Sequence, residues 1–312
     1  MSIVFMGTPE WAIPSLKAVI ESGIEVSAVF TQPDTRVGRS NDLSASPVKK
    51  FAMENNLSVY TPKNTRSQDT IDLVSSLSPE LILVCAYGQI LNQQFLDIPR
   101  IGCFNVHFSF LPSLRGASPV QTAIVAGFKT TGVSLQKIVL RLDSGPLAFF
   151  SKEVEILNDD NTPRLGNRLS EVSGDLIRQN LRNILLGNYT LTKQNETQAT
   201  YCSTLKKGDG HVNWEEETAQ EIERKLRAFS PWPGIFSFYK FNSNSEFKKR
   251  LQFTKVEIVK GNFECGKIYP EMVVGAYTNG LRILSLKPEG KKEMFADSFL
   301  RGNAKIIGTV LE

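Results

Sequence analysis

The chain opens on an apolar run, Ile3-Val4-Phe5-Met6, that turn residues end at Gly7-Thr8-Pro9. A short continuous apolar run with such punctuation reads as a strand buried on both faces. Similar runs recur at residues 24–30, 57–60 and 81–86. Between them, residues 11–21, 47–54 and 69–77 carry apolar positions at helical spacing, the first closed by Gly23. This strand–helix alternation predicts an α/β architecture with a Rossmann-like, mostly parallel sheet covered on both faces.

The pattern continues with a short apolar strand ending in Asn105-Val106-His107 and a helix opening near Ser118-Pro119, where Pro suits the first turn. Residues 132–140 read as a strand, and residues 145–155 continue in β character. A long amphipathic helix starts at Thr162-Pro163 and stops at Gly187-Asn188. Residues 189–206 are polar with little periodicity and read as a linker. A helix follows over residues 218–229. After Pro231-Trp232-Pro233-Gly234 come short apolar segments spaced by Gly, Asn and Pro, which predict a small β-barrel or sandwich. The expected organisation is a domain over residues 1–188, a linker over 189–206 and a β domain over 207–312.

A chain of 312 residues is long enough for two such domains. No apolar run reaches the ~20 residues that cross a bilayer, and the N-terminus starts almost directly as a strand, so a cytoplasmic protein without a signal segment is expected. The four cysteines are far apart and read as reduced, buried thiols. Two histidines and no ligand spacing give no metal site. Charge changes the picture more. From Arg224 onward there are 16 Lys+Arg against 8 Asp+Glu, although the whole chain is only +4. A basic C-terminal third fits an anionic partner such as RNA, or simply a solubilising surface.

Candidate chemistry concentrates at the strand end. Asn105 and His107 lie two residues apart, so a strand projects both to one face. An amide donor beside a titratable ring suits acyl transfer: one group holds a developing oxyanion, the other manages a proton. Asp143, in the turn Asp143-Ser144-Gly145-Pro146, is a carboxylate that can fix the imidazole tautomer. Gly7-Thr8-Pro9-Glu10 occupies the place of a phosphate loop, but it lacks G-x-G-x-x-G and Pro9 removes a backbone donor, which disfavours a dehydrogenase. The ~15-residue polar excursion that begins at Thr31-Gln32-Pro33-Asp34 carries Arg36 and Arg39, which can reach an anion; loops of that length are usually functional or disordered.

Together these residues resemble the methionyl-tRNA formyltransferase family. The resemblance runs through Phe5-Met6-Gly7-Thr8-Pro9-Glu10, Thr31-Gln32-Pro33-Asp34, Ala86-Tyr87-Gly88-Gln89-Ile90-Leu91, Asn105-Val106-His107, Ser109-Phe110-Leu111-Pro112, Arg115-Gly116-Ala117-Ser118-Pro119 and Leu142-Asp143-Ser144-Gly145. In the C-terminal part it is carried by Asn213-Trp214, residues 227–234, Gly290-Lys291-Lys292 and residues 299–303. The Asn-x-His…Asp set belongs to folate-dependent formyltransferases in general; the 31–34 loop and the C-terminal motifs are narrower and point to the tRNA enzyme. The resemblance implies a formyltransferase catalytic domain, an OB-like C-terminal barrel, 10-formyltetrahydrofolate as co-substrate, methionyl initiator tRNA as acceptor, no metal, no membrane and a monomeric state. It implies catalytic roles for Asn105, His107 and Asp143, folate-lining roles for Tyr87, Gly88, Gln89, Ile90, Ser109, Phe110, Leu111 and Pro112, and tRNA contacts through Arg36, Arg39, Lys248, Lys249, Arg250, Lys291 and Lys292. Departures from the family pattern are the lysine-poor Gly38-Arg39-Ser40-Asn41-Asp42, and Phe108, Phe110, Ser113-Leu114 and Gln136-Lys137 around the site. The rival readings are a formyltransferase acting on an amino sugar or purine precursor, and a non-catalytic RNA- or folate-binding module.

Overall fold

The computed structural model describes residues 1–37, 42–240 and 248–312. The chain forms two compact units. The first comprises Met1–Pro119, Thr130–Glu155 and Arg164–Cys202; the second comprises Val120–Lys129, Ile156–Pro163 and Ser203–Glu312. No helix among the described residues is long and apolar enough to cross a membrane.

In chain order the elements up to the long helix are β1 (Ser2–Gly7), α1 (Ile13–Glu21), β2 (Glu25–Phe30), β3 (Thr35–Val37), β4 (Asp42–Ser44), α2 (Pro47–Glu54), β5 (Val59–Tyr60), α3 (Gln68–Ser76), β6 (Leu81–Cys85), α4 (Gln93–Leu96), β7 (Gly102–His107), β8 (Arg115–Gly116), α5 (Pro119–Val125), β9 (Thr130–Thr131), β10 (Ser134–Lys137), β11 (Leu147–Phe150), β12 (Val154–Glu155) and α6 (Thr162–Leu186). The main sheet of the first unit has seven strands in the order β11-β10-β7-β6-β1-β2-β5. Strands β7, β6, β1, β2 and β5 are parallel; β10 and β11 add an antiparallel edge. Residues 3–6 of β1 and 81–83 of β6 are fully buried, as continuous apolar runs in a two-face-covered sheet should be. One core face collects Val4, Met6, Ala28, Phe30, Ile82 and Val84 with Ile71 and Val74 of α3 and Phe95 of α4. Ser46 caps α2 by accepting from the Lys49 N–H, with Pro47 at the first turn.

Part of the polar excursion is ordered as an antiparallel ribbon, β3 against β4, with Arg36 opposite Leu43. The segment expected to be a linker is also structured as far as Cys202. Thr192 bridges Leu147, and β13 (Tyr201–Cys202) pairs in parallel with β8. Gln194 is buried there, so the polar composition reflects hydrogen bonding inside the first unit rather than solvation.

The second unit holds α7 (Ala219–Ala228), β14 (Ile235–Lys240), β15 (Lys248–Val259), β16 (Ile268–Tyr269), β17 (Val273–Gly275), β18 (Gly280–Pro288), β19 (Met294–Phe295) and α8 (Ala296–Gly302). Its six strands make an antiparallel sheet in the order β14-β15-β18-β17-β16, with β19 on β18. Two of them, β15 with 12 residues and β18 with 9, are longer than the short strands the punctuation suggested. Thr218 and Glu221 form a capping box on α7. Two segments from the earlier part of the chain join this unit through that helix. Arg224 Nε donates to the Val125 carbonyl at 3.0 Å, and Thr162 Oγ1 donates to the Ala228 carbonyl at 2.6 Å.

Candidate active site

Asn105 and His107 end β7 on one face, at the carboxyl edge of the parallel strands where open α/β sheets place their sites. Across the antiparallel pairing, Gln136 stands opposite Asn105 and Ser134 opposite His107. Opposed residues project to the same face. The strand end therefore carries four polar side chains together.

His107 is 5 % exposed. Its Nε2 lies 2.9 Å from the Leu114 carbonyl. A carbonyl can only accept, so Nε2 carries a proton, and in the neutral ring Nδ1 holds the lone pair. Nδ1 faces Asp143 Oδ2 at 3.7 Å, outside hydrogen-bond range. The tautomer is thus set by Leu114 O, while the carboxylate stands where a proton reaching Nδ1 would meet it.

Asp143 is held mainly by other groups. The Gly116 N–H donates to Oδ2 at 2.9 Å, Gln136 Nε2 donates to Oδ1 at 2.7 Å, and Asn105 Nδ2 donates more weakly to Oδ1 at 3.4 Å. Position 116 needs glycine, since φ is +124° and a Cβ would fall 1.9 Å from the Cys202 carbonyl. Leu114 and Asp143 also have positive φ, 60° and 45°. Such backbone persists only where its surroundings over-determine it, and here it gathers around the candidate site.

A buried polar chain continues outward. Arg115, with no exposed surface, donates from Nε and Nη2 to Gln194 Oε1 at 3.0 and 2.8 Å. It also pairs with Glu196 at 2.9 Å and reaches Tyr201 Oη at 3.3 Å. Hydrogen bonds from Arg115 hold the Glu196 carboxyl below the usual carboxylate range, and bonds from Arg115 and Arg141 lower the Tyr201 phenol. From sequence, Arg115 stands only within a motif, Gln136 only as a departure from the family pattern, and Gln194 and Glu196 only within the supposed linker. Cross-strand register would have marked Gln136; no sequence signal marks Gln194.

The segments expected to line the folate leave β6 and β7, neighbouring parallel strands. Tyr87 packs into the core cluster, and burial pushes its phenol up. The Gln89 side chain is committed to Thr65 N at 2.9 Å and Pro62 O at 3.0 Å. What this loop offers is backbone and an apolar tip: among the described residues the Gly88 and Gln89 peptide groups make no hydrogen bond, and Ile90 is 74 % exposed. Ser109 and Leu111 are buried and fixed by Ser134, whose Oγ donates to Ser109 O and accepts from Leu111 N. The Phe110 ring fills the space that a Cβ on residue 132 would occupy, so the bulky residue is matched by Gly132. Thr200 N donates to Pro112 O at 3.2 Å.

Of the basic residues, Arg36 is exposed on β3, and Arg39 lies outside the described residues. Lys248, Lys249 and Arg250 start β15, beside the turn carrying exposed Lys291 and Lys292; there the Glu289 N–H donates to the Arg250 carbonyl, and the Arg250 N–H donates to the Glu289 carboxylate Oε2. Lys248 is ion-paired with Glu312, and the Arg250 guanidinium lies 4.8 Å from the Phe236 ring centroid. Cys85 and Cys103 are buried free thiols pushed up to about 12 by burial.

Residues 1–181 match the family model described as formyl transferase, and residues 204–304 match the formyl transferase C-terminal domain. A methionyl-tRNA formyltransferase from Thermodesulfovibrio yellowstonii is 40 % identical over 303 residues, covering 96 % of this chain and 95 % of its own. One from Bacillus velezensis is 36 % identical over 310 residues, covering 99 % and 97 %. The chain belongs to the methionyl-tRNA formyltransferase family. Two solved structures share the fold at low identity. A sugar 3N-formyl transferase solved in the presence of dTDP and 5-N-formyl-THF gives a TM-score of 0.64 at 18 % identity, covering 94 % of this chain and 99 % of that one. HypX from Aquifex aeolicus in complex with tetrahydrofolic acid gives 0.61 at 16 %, covering 98 % and 48 %.

Proposed function

We propose that this protein transfers the formyl group of 10-formyltetrahydrofolate to the α-amine of methionine carried on initiator tRNA. The observation that carries this reading is the Asn105, His107 and Asp143 cluster at the carboxyl end of the sheet, in a chain matched nearly end to end by methionyl-tRNA formyltransferases. The acceptor belongs to translation, which puts the protein in the cytoplasm, and the reading takes it as a monomer.

The amine nitrogen attacks the formyl carbon, and the carbonyl π pair moves to oxygen. Asn105 has one amide N–H turned to Asp143 and a second for that oxyanion. Neutral His107 has Nδ1 as its acceptor and takes the proton lost by the amine. That proton then faces the Asp143 carboxylate, which offsets the ring's positive charge. As it passes to N10, the C–N10 bond breaks and tetrahydrofolate leaves with N-formylmethionyl-tRNA. Proton transfer of this kind contributes ~100- to 10,000-fold. The free peptide groups of Gly88 and Gln89 suit the polar edge of a pterin, with Ile90 against its flat face. Lys291, Lys292 and the start of β15 form the basic surface for tRNA phosphates.

The test offers the protein 10-formyltetrahydrofolate with methionyl initiator tRNA or with a nucleotide-linked amino sugar, each over a salt series. Formylation of the tRNA, with affinity falling steeply as salt rises, supports the reading. Formylation of the sugar alone, with no steep salt dependence, overturns it.

A further inference from the structure

The orientation of an asparagine or glutamine amide follows from its hydrogen-bonding partners. In this site one residue dictates the orientation of a whole series. Arg115 is fully buried and can only donate. Its Nε and Nη2 both point at one Gln194 atom, at 3.0 and 2.8 Å, which must therefore be the oxygen. The Gln194 nitrogen is then turned the other way. It donates to the backbone carbonyls of Asp143 at 2.8 Å and Gly145 at 2.7 Å, and approaches Gln136 Oε1 at 3.4 Å. With its oxygen facing Gln194, Gln136 presents its own nitrogen to Asp143 Oδ1 at 2.7 Å.

Both the backbone and the carboxylate of Asp143 are thus fixed from Arg115. The backbone constraint falls on a residue at φ 45°, a conformation a non-glycine residue holds only under restraint. The carboxylate constraint falls on the oxygen that also meets Asn105.

We infer that Arg115 and Gln194 are positioning residues, which set the polarity of the Gln194–Gln136 amide relay and so hold Asp143 in register with Asn105 and His107. The inference rests on the formyl-transfer reading for its kinetic consequence. Neither residue touches the reacting atoms. The rival explanation is structural: Arg115 merely ties residues 192–202 onto the sheet.

One substitution separates the two. Gln194→Glu keeps an acceptor for both Arg115 donors but replaces the N–H that faces Asp143 and Gly145 with an oxygen. A tie role predicts wild-type activity, because the Arg115 pairing survives. The positioning role predicts a protein that still folds with kcat down ~10- to 100-fold, the scale expected for a misplaced catalytic group, and KM for both substrates little changed. Gln136→Met leaves the Arg115–Gln194 pair intact and removes the donor to Asp143 Oδ1; it is expected to lower kcat to a similar degree, and it decides the question if Gln194→Glu does not fold.

A second readout needs no turnover. The Gly116 amide proton is bonded to Asp143 Oδ2, so its NMR resonance reports the carboxylate's position. It should move in both variants. Wild-type kcat, a change confined to KM, or an unmoved Gly116 resonance would overturn the inference. A wild-type protein that makes no formyl product sinks only the functional reading, and the Gly116 resonance then decides the positioning role.

Discussion

Asn105 and Gln136 face each other across β7 and β10, and both turn an amide N–H to the same oxygen, Asp143 Oδ1, at 3.4 and 2.7 Å. Gln136 makes the shorter bond and anchors the carboxylate. Asn105 is left with a weak bond to it and a second N–H free to act.

Asn105→Ala should therefore lower kcat ~100- to 1,000-fold, as losing a single oxyanion donor does. Gln136 still holds Asp143, so KM for the formyl donor should change little. Steady-state kinetics with each substrate varied in turn check this; a loss confined to KM would move Asn105 from the transition state to binding.

Pinning of His107 Nε2 by the Leu114 carbonyl has a spectroscopic consequence. In the neutral ring, ¹⁵N shifts should show Nε2 protonated and Nδ1 bare. His107→Ala should cost ~100- to 10,000-fold in kcat. Observation of the opposite tautomer would remove Nδ1 as the proton acceptor.

Gly116→Ala tests the packing under the site. The new Cβ would meet the Cys202 carbonyl at 1.9 Å, in a backbone conformation that L side chains rarely adopt. Pairing of β8 with β13 should give way, along with the Gly116 N–H bond to Asp143. The expected cost is on the order of 3 kcal/mol in denaturant unfolding, with kcat reduced as well. An unchanged unfolding midpoint would mean that the two strands do not approach as closely as described.

Acid should weaken the same corner. Arg115 holds the Glu196 carboxyl below its ordinary value of about 4.3. A depressed carboxyl contributes stability that is complete above the unfolded-state value and is lost as pH falls through the folded-state one. Wild type should thus lose melting temperature more steeply than Glu196→Gln below about pH 4.3, the two curves converging in stronger acid. The Glu196 side chain is 43 % exposed, so solvent screening keeps the effect small. Parallel curves from pH 7 down to pH 3 would show that the ion pair contributes nothing.

How much of this was legible in the sequence follows from which interactions are local. β1, β6 and the main helices show in apolar periodicity, and Asn105 with His107 shows in the two-residue repeat of a strand. Gln136 does not, because its place opposite Asn105 depends on the register of an antiparallel pairing. Gln194 sits in a polar stretch without periodicity, and such a stretch reads as linker until its partners are known. Arg115 breaks the rule that guanidinium groups stay in water, and only Gln194, Glu196 and Tyr201, about 80 residues further on, account for it. The loops expected to line the folate were legible as segments but not as surfaces: Tyr87 and Gln89 turn inward, leaving backbone and Ile90 outward.

The central claim is formyl transfer to methionyl-tRNA by the Asn105, His107 and Asp143 cluster. Its most direct test is a single-turnover reaction of excess protein with 10-formyltetrahydrofolate carrying a labelled formyl group and methionyl initiator tRNA, followed by hydrolysis of the ester and identification of the labelled product. The account predicts labelled N-formylmethionine from wild type and a rate reduced at least ~100-fold in His107→Ala. No labelled formylmethionine from wild type, or undiminished transfer by His107→Ala, would contradict it.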